Sequence, residues 1–229
     1  MDELPYRVRR SDRARRARIV VRAEGVEVVL PRRASLRRVG PFVADKRPWI
    51  ERTLRRLREA EEALAPARLE HGGAVPYLGG SLELRVSERR GRARASVRRR
   101  GNVLEVAVDR PGADAVREAL EAWYRRRARA EVSARLDAAC ARSGGSYARL
   151  AIRGQRTRWA SCSSSGTMSF NWRLLLAPEA VLDYVVEHEV AHLDVADHSP
   201  RFWALLESRC PGCREQERWL RRHGAALHL

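Results

Sequence analysis

At 229 residues with 44% hydrophobic side chains and six tryptophans, the chain can bury a core in one large domain or two small ones, and it is not a disordered chain. The net charge of +17 is uneven, with 27 Lys and Arg against 13 Asp and Glu in residues 1–100, and 19 against 16 in residues 101–229. No apolar run reaches the roughly eighteen residues a membrane span needs, and the opening "MDELPYRVRRSDRARRARIVV" has no apolar signal-peptide core, so the expected setting is the cytoplasm with no membrane partner.

The basic excess could attract nucleic acid or another polyanion. Against this, Lys46 is the only lysine beside 45 arginines, which reads as a bias in coding rather than a selected set of phosphate contacts. No basic motif interleaved with aromatics accompanies it.

Residues 17–31 carry two β-branched runs around Glu24-Gly25 and predict a hairpin. A helix is expected over 35–64, with Trp49, Leu54, Leu57 and Leu64 as its apolar positions. "HGGAVPYLGGSLELRV" reads as a loop entering a strand, on the alternation of Leu82, Leu84 and Val86. A second hairpin turns at Gly101-Asn102. Residues 113–142 form a long helix closed by Gly144-Gly145, with Val116, Leu120, Trp123, Tyr124, Val132 and Leu136 on its buried side.

The composition shift at 110–113 places the domain boundary there, with a strand-rich basic region over 1–110 and a helical domain over 111–229. Within the latter, a strand at 150–152 precedes a hairpin whose arms, 158–162 and 167–174, flank "SSSG". The expected class is therefore α+β, with a small antiparallel sheet packed on helices.

The chemistry gathers in "HEVAHLDVADH", residues 188–198. Pro178 and Glu179 suit a first helical turn, and Leu182, Val186, Val190 and Leu193 supply a core stripe. On a neighbouring stripe His188 and His192 stand four apart, so their imidazoles leave one face and can share a metal ion. Glu189 is rotated by about 100° from them, the position of a general base beside the ion. His198 would lie about 15 Å further along a straight helix, so the chain must turn back. Asp194 and Asp197 permit that turn, and Ser199-Pro200 starts a new helix with Phe202, Leu205 and Leu206 inward. Three neutral imidazoles leave one coordination position open, the pattern of a catalytic zinc that activates water.

The remaining histidines, His71, His223 and His228, have no partners at ligand spacing and read as surface or loop residues. Cys140, Cys162, Cys210 and Cys213 read as free thiols, and "CPGC" at 210–213 as a structural turn rather than a redox or metal motif.

"RWASCSSSGTMSFNWRLLLAP" followed by "LDYVVEHEVAHLDVADHSPRFWALL" resembles the YgjP-type metallopeptidase-like family, a relative of SprT-like and other zincin proteins, and the N-terminal region is similar as well. The resemblance implies a zincin-like fold and a cytoplasmic zinc-dependent hydrolase, with His188, His192 and His198 as ligands and Glu189 catalytic. The family has an apolar residue where Glu187 stands, Leu for Val190, Asn for Asp197 and "RWGSCS" for "RWASCS". Glu187 is expected on a solvated face, the alternative being a hydrogen bond that supports the metal ligands. Arg158 and Trp159 are the candidate substrate contacts, Arg158 for a carboxylate, phosphate or oxyanion, although Trp159, like Trp172, also fits the core. A peptide or protein is the expected substrate. Two other readings use the same residues: a metal-dependent hydrolase of a nucleotide or other phosphate-containing substrate, and a nucleic-acid-associated zinc-binding module docking through the arginine-rich N-terminal half.

Overall fold

β-branched pairs build the first sheet. In the computed structural model, which describes residues 4–22, 25–63, 67–91, 94–110, 112–155 and 157–229, strands β2 (Arg18–Arg22) and β3 (Gly25–Pro31) run antiparallel with Ile19 opposite Val28 and Val21 opposite Val26. The hairpin is as expected, although Glu24 in its turn lies outside the described residues. Strand β1 (Tyr6–Ser11) pairs parallel to β3 and was not legible, because the alternation in "YRVRRS" stops after Tyr6 and Val8 and the segment gains its strand form from the partner.

Helix α1 (Val39–Ala63) covers one face of this sheet. Its buried stripe is Val39, Val43 and Ile50 with Phe42 and Leu54, packed on Val26, Val28 and Leu30. The expected helix is present and Leu54 packs as expected, but Trp49 is 43% exposed while its neighbour Ile50 is fully buried. One residue is about 100° of helix, enough to move a side chain from core to solvent. Of the other two expected positions, Leu64 and the side chain of Leu57 lie outside the described residues.

The chain divides into two compact units, Met1–Ala65 and Pro66–Leu229. The expected boundary at 110–111 falls inside the second unit, because the sheet before it buries its apolar face on the helix after it. That sheet, of order β4-β5-β7-β6, contains β4 (Ala74–Tyr77), β5 (Gly80–Glu88), β6 (Ser96–Arg100) and β7 (Val103–Val108). The region expected as a loop into a strand is a β4–β5 hairpin. Leu78 and Gly79, both at positive φ (49° and 82°), make its two-residue turn. A turn that asks Leu to adopt positive φ is invisible to residue preferences.

Helix α2 (Ala113–Ser143) is the spine of this unit. Tyr77 sits 5.7 Å from Trp123, ring to ring, and the Tyr124 hydroxyl donates to the Pro76 carbonyl, locking the sheet to the helix. Gly144, at φ 70°, ends α2 in the left-handed cap expected of it. Beyond it β8 (Arg149–Arg153), β9 (Ala160–Cys162) and β10 (Thr167–Asn171) form a sheet of order β8-β10-β9. β9 and β10 are the expected hairpin, but β8 lies parallel to β10, so the sheet is mixed rather than antiparallel. The connection from β8 carries the chain to the far side of β10 before β9 returns. Residues 172–174, expected as strand, belong to a 3-10 turn, Trp172–Leu176, that Asn171 caps.

Three helices finish the chain: α3 (Glu179–Ala191), α4 (Pro200–Arg209) and α5 (Cys213–His223). α3 packs against α2, α4 and α5, with Val181, Leu182, Val185, Val186 and Val190 buried. Full burial of each such side chain is worth about 1.5–3 kcal/mol, so α3 is held firmly although it spans only 13 residues. Among the described residues no helix is long and apolar enough to cross a membrane.

Candidate metal centre

α3 ends at the residue the site needs. His192 is its C-cap, and its N–H still reaches the His188 carbonyl at 3.3 Å. The chain then tightens, with Leu193 N–H donating to Val190 O at 3.0 Å and Asp194 N–H to Ala191 O at 3.1 Å. Asp197 accepts the Ser199 N–H at 3.1 Å, and Pro200 opens α4. This is the return that the aspartates and Ser199-Pro200 predicted.

The return brings His198 to the helical pair. Ligand-capable atoms of His188, His192 and His198 all lie within 4.8 Å of one another, and the Nε2 atoms of His188 and His198 are 3.0 Å apart. Bonds of about 2.0–2.1 Å in a tetrahedral site separate two nitrogens by about 3.3 Å, so the spacing is that of nitrogens aimed at one small cation. His192 donates its Nδ1–H to the Val195 carbonyl at 3.1 Å, which leaves the Nε2 lone pair free for a metal. The donor set and its tautomer therefore fit a borderline divalent ion.

Burial, and then the neighbouring His192 and His198, push the His188 pKa down to about 3. Burial also lowers His192. Both rings are neutral at physiological pH, the form that binds metal. Phe202, fully buried, underlies all three rings, stacked on His192 at 4.5 Å and edge-on to His188 and His198 at 4.9 Å each. The sequence marked Phe202 only as a core residue, because a helical stripe does not say what it packs under.

Glu189 is 6% exposed, and burial raises its carboxyl to about 7, opposed by a hydrogen bond from the Cys162 backbone N–H. That bond ties the β9 edge to α3. Arg158 and Trp159 precede the same strand. Arg158 is exposed, whereas the Trp159 indole packs on Gly224, where an added Cβ would stand 2.8 Å from Cζ2. Asn171, 3% exposed, holds this segment: its Nδ2 donates to Gln155 O at 2.7 Å and to Arg158 O at 3.4 Å, and its N–H donates to Trp159 O at 2.7 Å. Only a buried asparagine in "SFNW" could have pointed to it.

Glu187 is not on a solvated face. It is 7% exposed and ion-paired with Arg142 of α2, forty-five residues away, a partner that helical periodicity cannot foresee. The "CPGC" segment is the turn expected of it. All four cysteines are free thiols; Cys213 donates to Glu207 Oε2 at 3.0 Å, and burial, then Glu207, pushes it up to about 12.

A family model described as "YgjP-like, metallopeptidase domain" matches residues 15–223. Among solved structures, the metallopeptidase zymogen abylysin of Pyrococcus abyssi is 28% identical, with 39% of this chain and 92% of that chain covered at a TM-score of 0.36. The zymogen jannalysin of Methanocaldococcus jannaschii is 19% identical at the same coverage and TM-score. No curated protein matches the chain.

Proposed function

Because the chain belongs to the YgjP-like metallopeptidase family, we propose that it hydrolyses peptide bonds with a zinc ion held by His188, His192 and His198 and with Glu189 as general base. One observation carries this reading: three imidazoles converge within 4.8 Å at the end of the helix that also carries a buried carboxyl raised to about 7. Zinc, when bound, supplies Lewis-acid activation of water and of the scissile carbonyl.

The protein's own groups do the rest. Glu189, poised near neutral pH, accepts a proton from the attacking water and delivers it to the leaving amine. The Cys162 N–H keeps one side of that carboxylate fixed, which limits its rotation. Val195 O fixes the His192 ring. β9 is the outer strand of its sheet, so the part of its edge not taken by Glu189 can pair with an extended peptide, and Arg158 at its entry offers a guanidinium to a carboxylate or a developing oxyanion. The four free thiols support a reducing, cytoplasmic setting.

The test offers zinc-loaded protein a peptide library and a nucleotide panel, with products identified by mass spectrometry. New peptide termini are expected. Released phosphate or pyrophosphate without peptide cleavage would replace this reading with phosphoester hydrolysis.

A further inference from the structure

The turn at 210–213 does not serve the metal, yet it determines what lies beside it. Gly212, at φ 80°, reverses the chain between α4 and α5. Glu207 grips the reversal through the Gly212 N–H and the Cys213 thiol, both at 3.0 Å. Cys213 is fully buried, so the first residue of α5 is pinned, and the next residue, Arg214, is aimed back across α4. Its guanidinium lies on the Trp203 ring, 3.4 Å from the centroid. Trp203 in turn stands 6.1 Å, ring to ring, from both His188 and His198. A cation is thus stacked on the aromatic wall of the metal centre.

Arg214 keeps capacity for a ligand. Its side chain is 48% exposed, and its carboxylate partner is Glu217, reached by Nη1 at 3.2 Å. The stacked plane is preorganised, and the remaining donors form a fork suited to a second carboxylate. Glu217, 32% exposed, is still reached by solvent, so the pair is screened and a substrate carboxylate can compete for Arg214.

We propose that Arg214, stacked on Trp203, is a specificity-determining residue that binds a carboxylate of the peptide substrate close to the scissile bond. The inference rests on the metallopeptidase reading and adds a substrate class to it: peptides with Asp, Glu or the chain terminus at one position beside the cut. The "CPGC" turn is the device that holds this subsite in place.

The test compares wild type, Arg214→Gln and Arg214→Glu on two peptide libraries, one with free and one with amidated C-termini. Wild type should enrich acidic residues at one position in both libraries if side chains are read, or cleave only free-ended peptides near their ends if the terminus is read. Arg214→Gln should lose the preference, with KM on acidic peptides raised about tenfold and kcat nearly unchanged. Arg214→Glu should shift the preference toward Lys and Arg. Identical cleavage profiles in all three proteins would overturn the proposal. A binding measurement separates this from failure of the peptidase reading. Calorimetric titration of a glutamate-containing peptide with a free C-terminus into Glu189→Gln should weaken about tenfold when Arg214→Glu is added. If no peptide is cut but that binding depends on Arg214, the subsite stands and the peptidase assignment falls.

Discussion

Glu189 holds its proton to a higher pH in the folded protein than a solvated carboxyl does, and this has a measurable sign. With the folded value raised from 4.5 to about 7, the native state binds more protons than the unfolded state between those limits. Stability is therefore lost as pH rises from 4.5 toward 7 and stays lost above it, by about 3 kcal/mol in total. Glu189→Gln removes the penalty. In metal-free protein, the substitution should stabilise the fold by up to about 3 kcal/mol at pH 8 and by almost nothing near pH 4, measured by denaturant unfolding at both values. His188 titrates in the opposite sense, its stabilisation being lost as pH falls from 6.5 toward about 3, but it is common to both proteins and cancels in the difference. Equal stability of the two proteins at pH 8 would show that Glu189 is not a desolvated carboxyl.

α3 carries His188 and is capped by His192, and the short turn before α4 brings His198 to them. Asp197 is exposed and makes its contribution through Ser199, accepting from both its hydroxyl and its N–H. Asp197→Ala should leave helix content unchanged by circular dichroism and lower zinc affinity about tenfold, because His198 loses its fixed approach. Unchanged affinity would mean that Phe202 alone holds His198.

At this scale the sequence was legible where one local signal suffices: the α3 face bearing His188 and His192, the Gly144 cap of α2, the Ser199-Pro200 start of α4 and the Gly101-Asn102 hairpin. It was illegible where a partner distant in the chain decides. β1 is a strand only because β3 lies beside it, β8 is parallel only because its connection crosses β10, and Glu187 is buried only because Arg142 reaches it. Trp49 was misplaced on the α1 stripe for a different reason. Trp49 outweighed Ile50 as an apolar landmark, although only Ile50 shares the phase of Val39 and Val43.

The whole molecule separates a basic sheet-and-helix unit, Met1–Ala65, from the unit that holds every site residue, Pro66–Leu229. Part of the N-terminal charge is already matched within the protein, as in Arg9 with Glu27, Arg32 with Asp12 and Arg47 with Glu51. Such exposed pairs add little stability, about 0–1 kcal/mol each, but they reduce what is left to attract a polyanion. Metal binding should therefore act on one unit. Zinc at a hundredfold excess over its Kd should stabilise that unit by about 2.7 kcal/mol, and thermal unfolding should show this as an upward shift of the transition that His188→Ala abolishes. An equal shift in that variant would place the zinc elsewhere.

Turnover of zinc-loaded Glu189→Gln beside wild type, with bound metal measured in the same samples, tests whether Glu189 is the base of a catalytic metal centre. Both proteins should hold one zinc per chain, with turnover reduced about 10²–10⁴-fold in the variant. Equal turnover at equal zinc content would contradict that role.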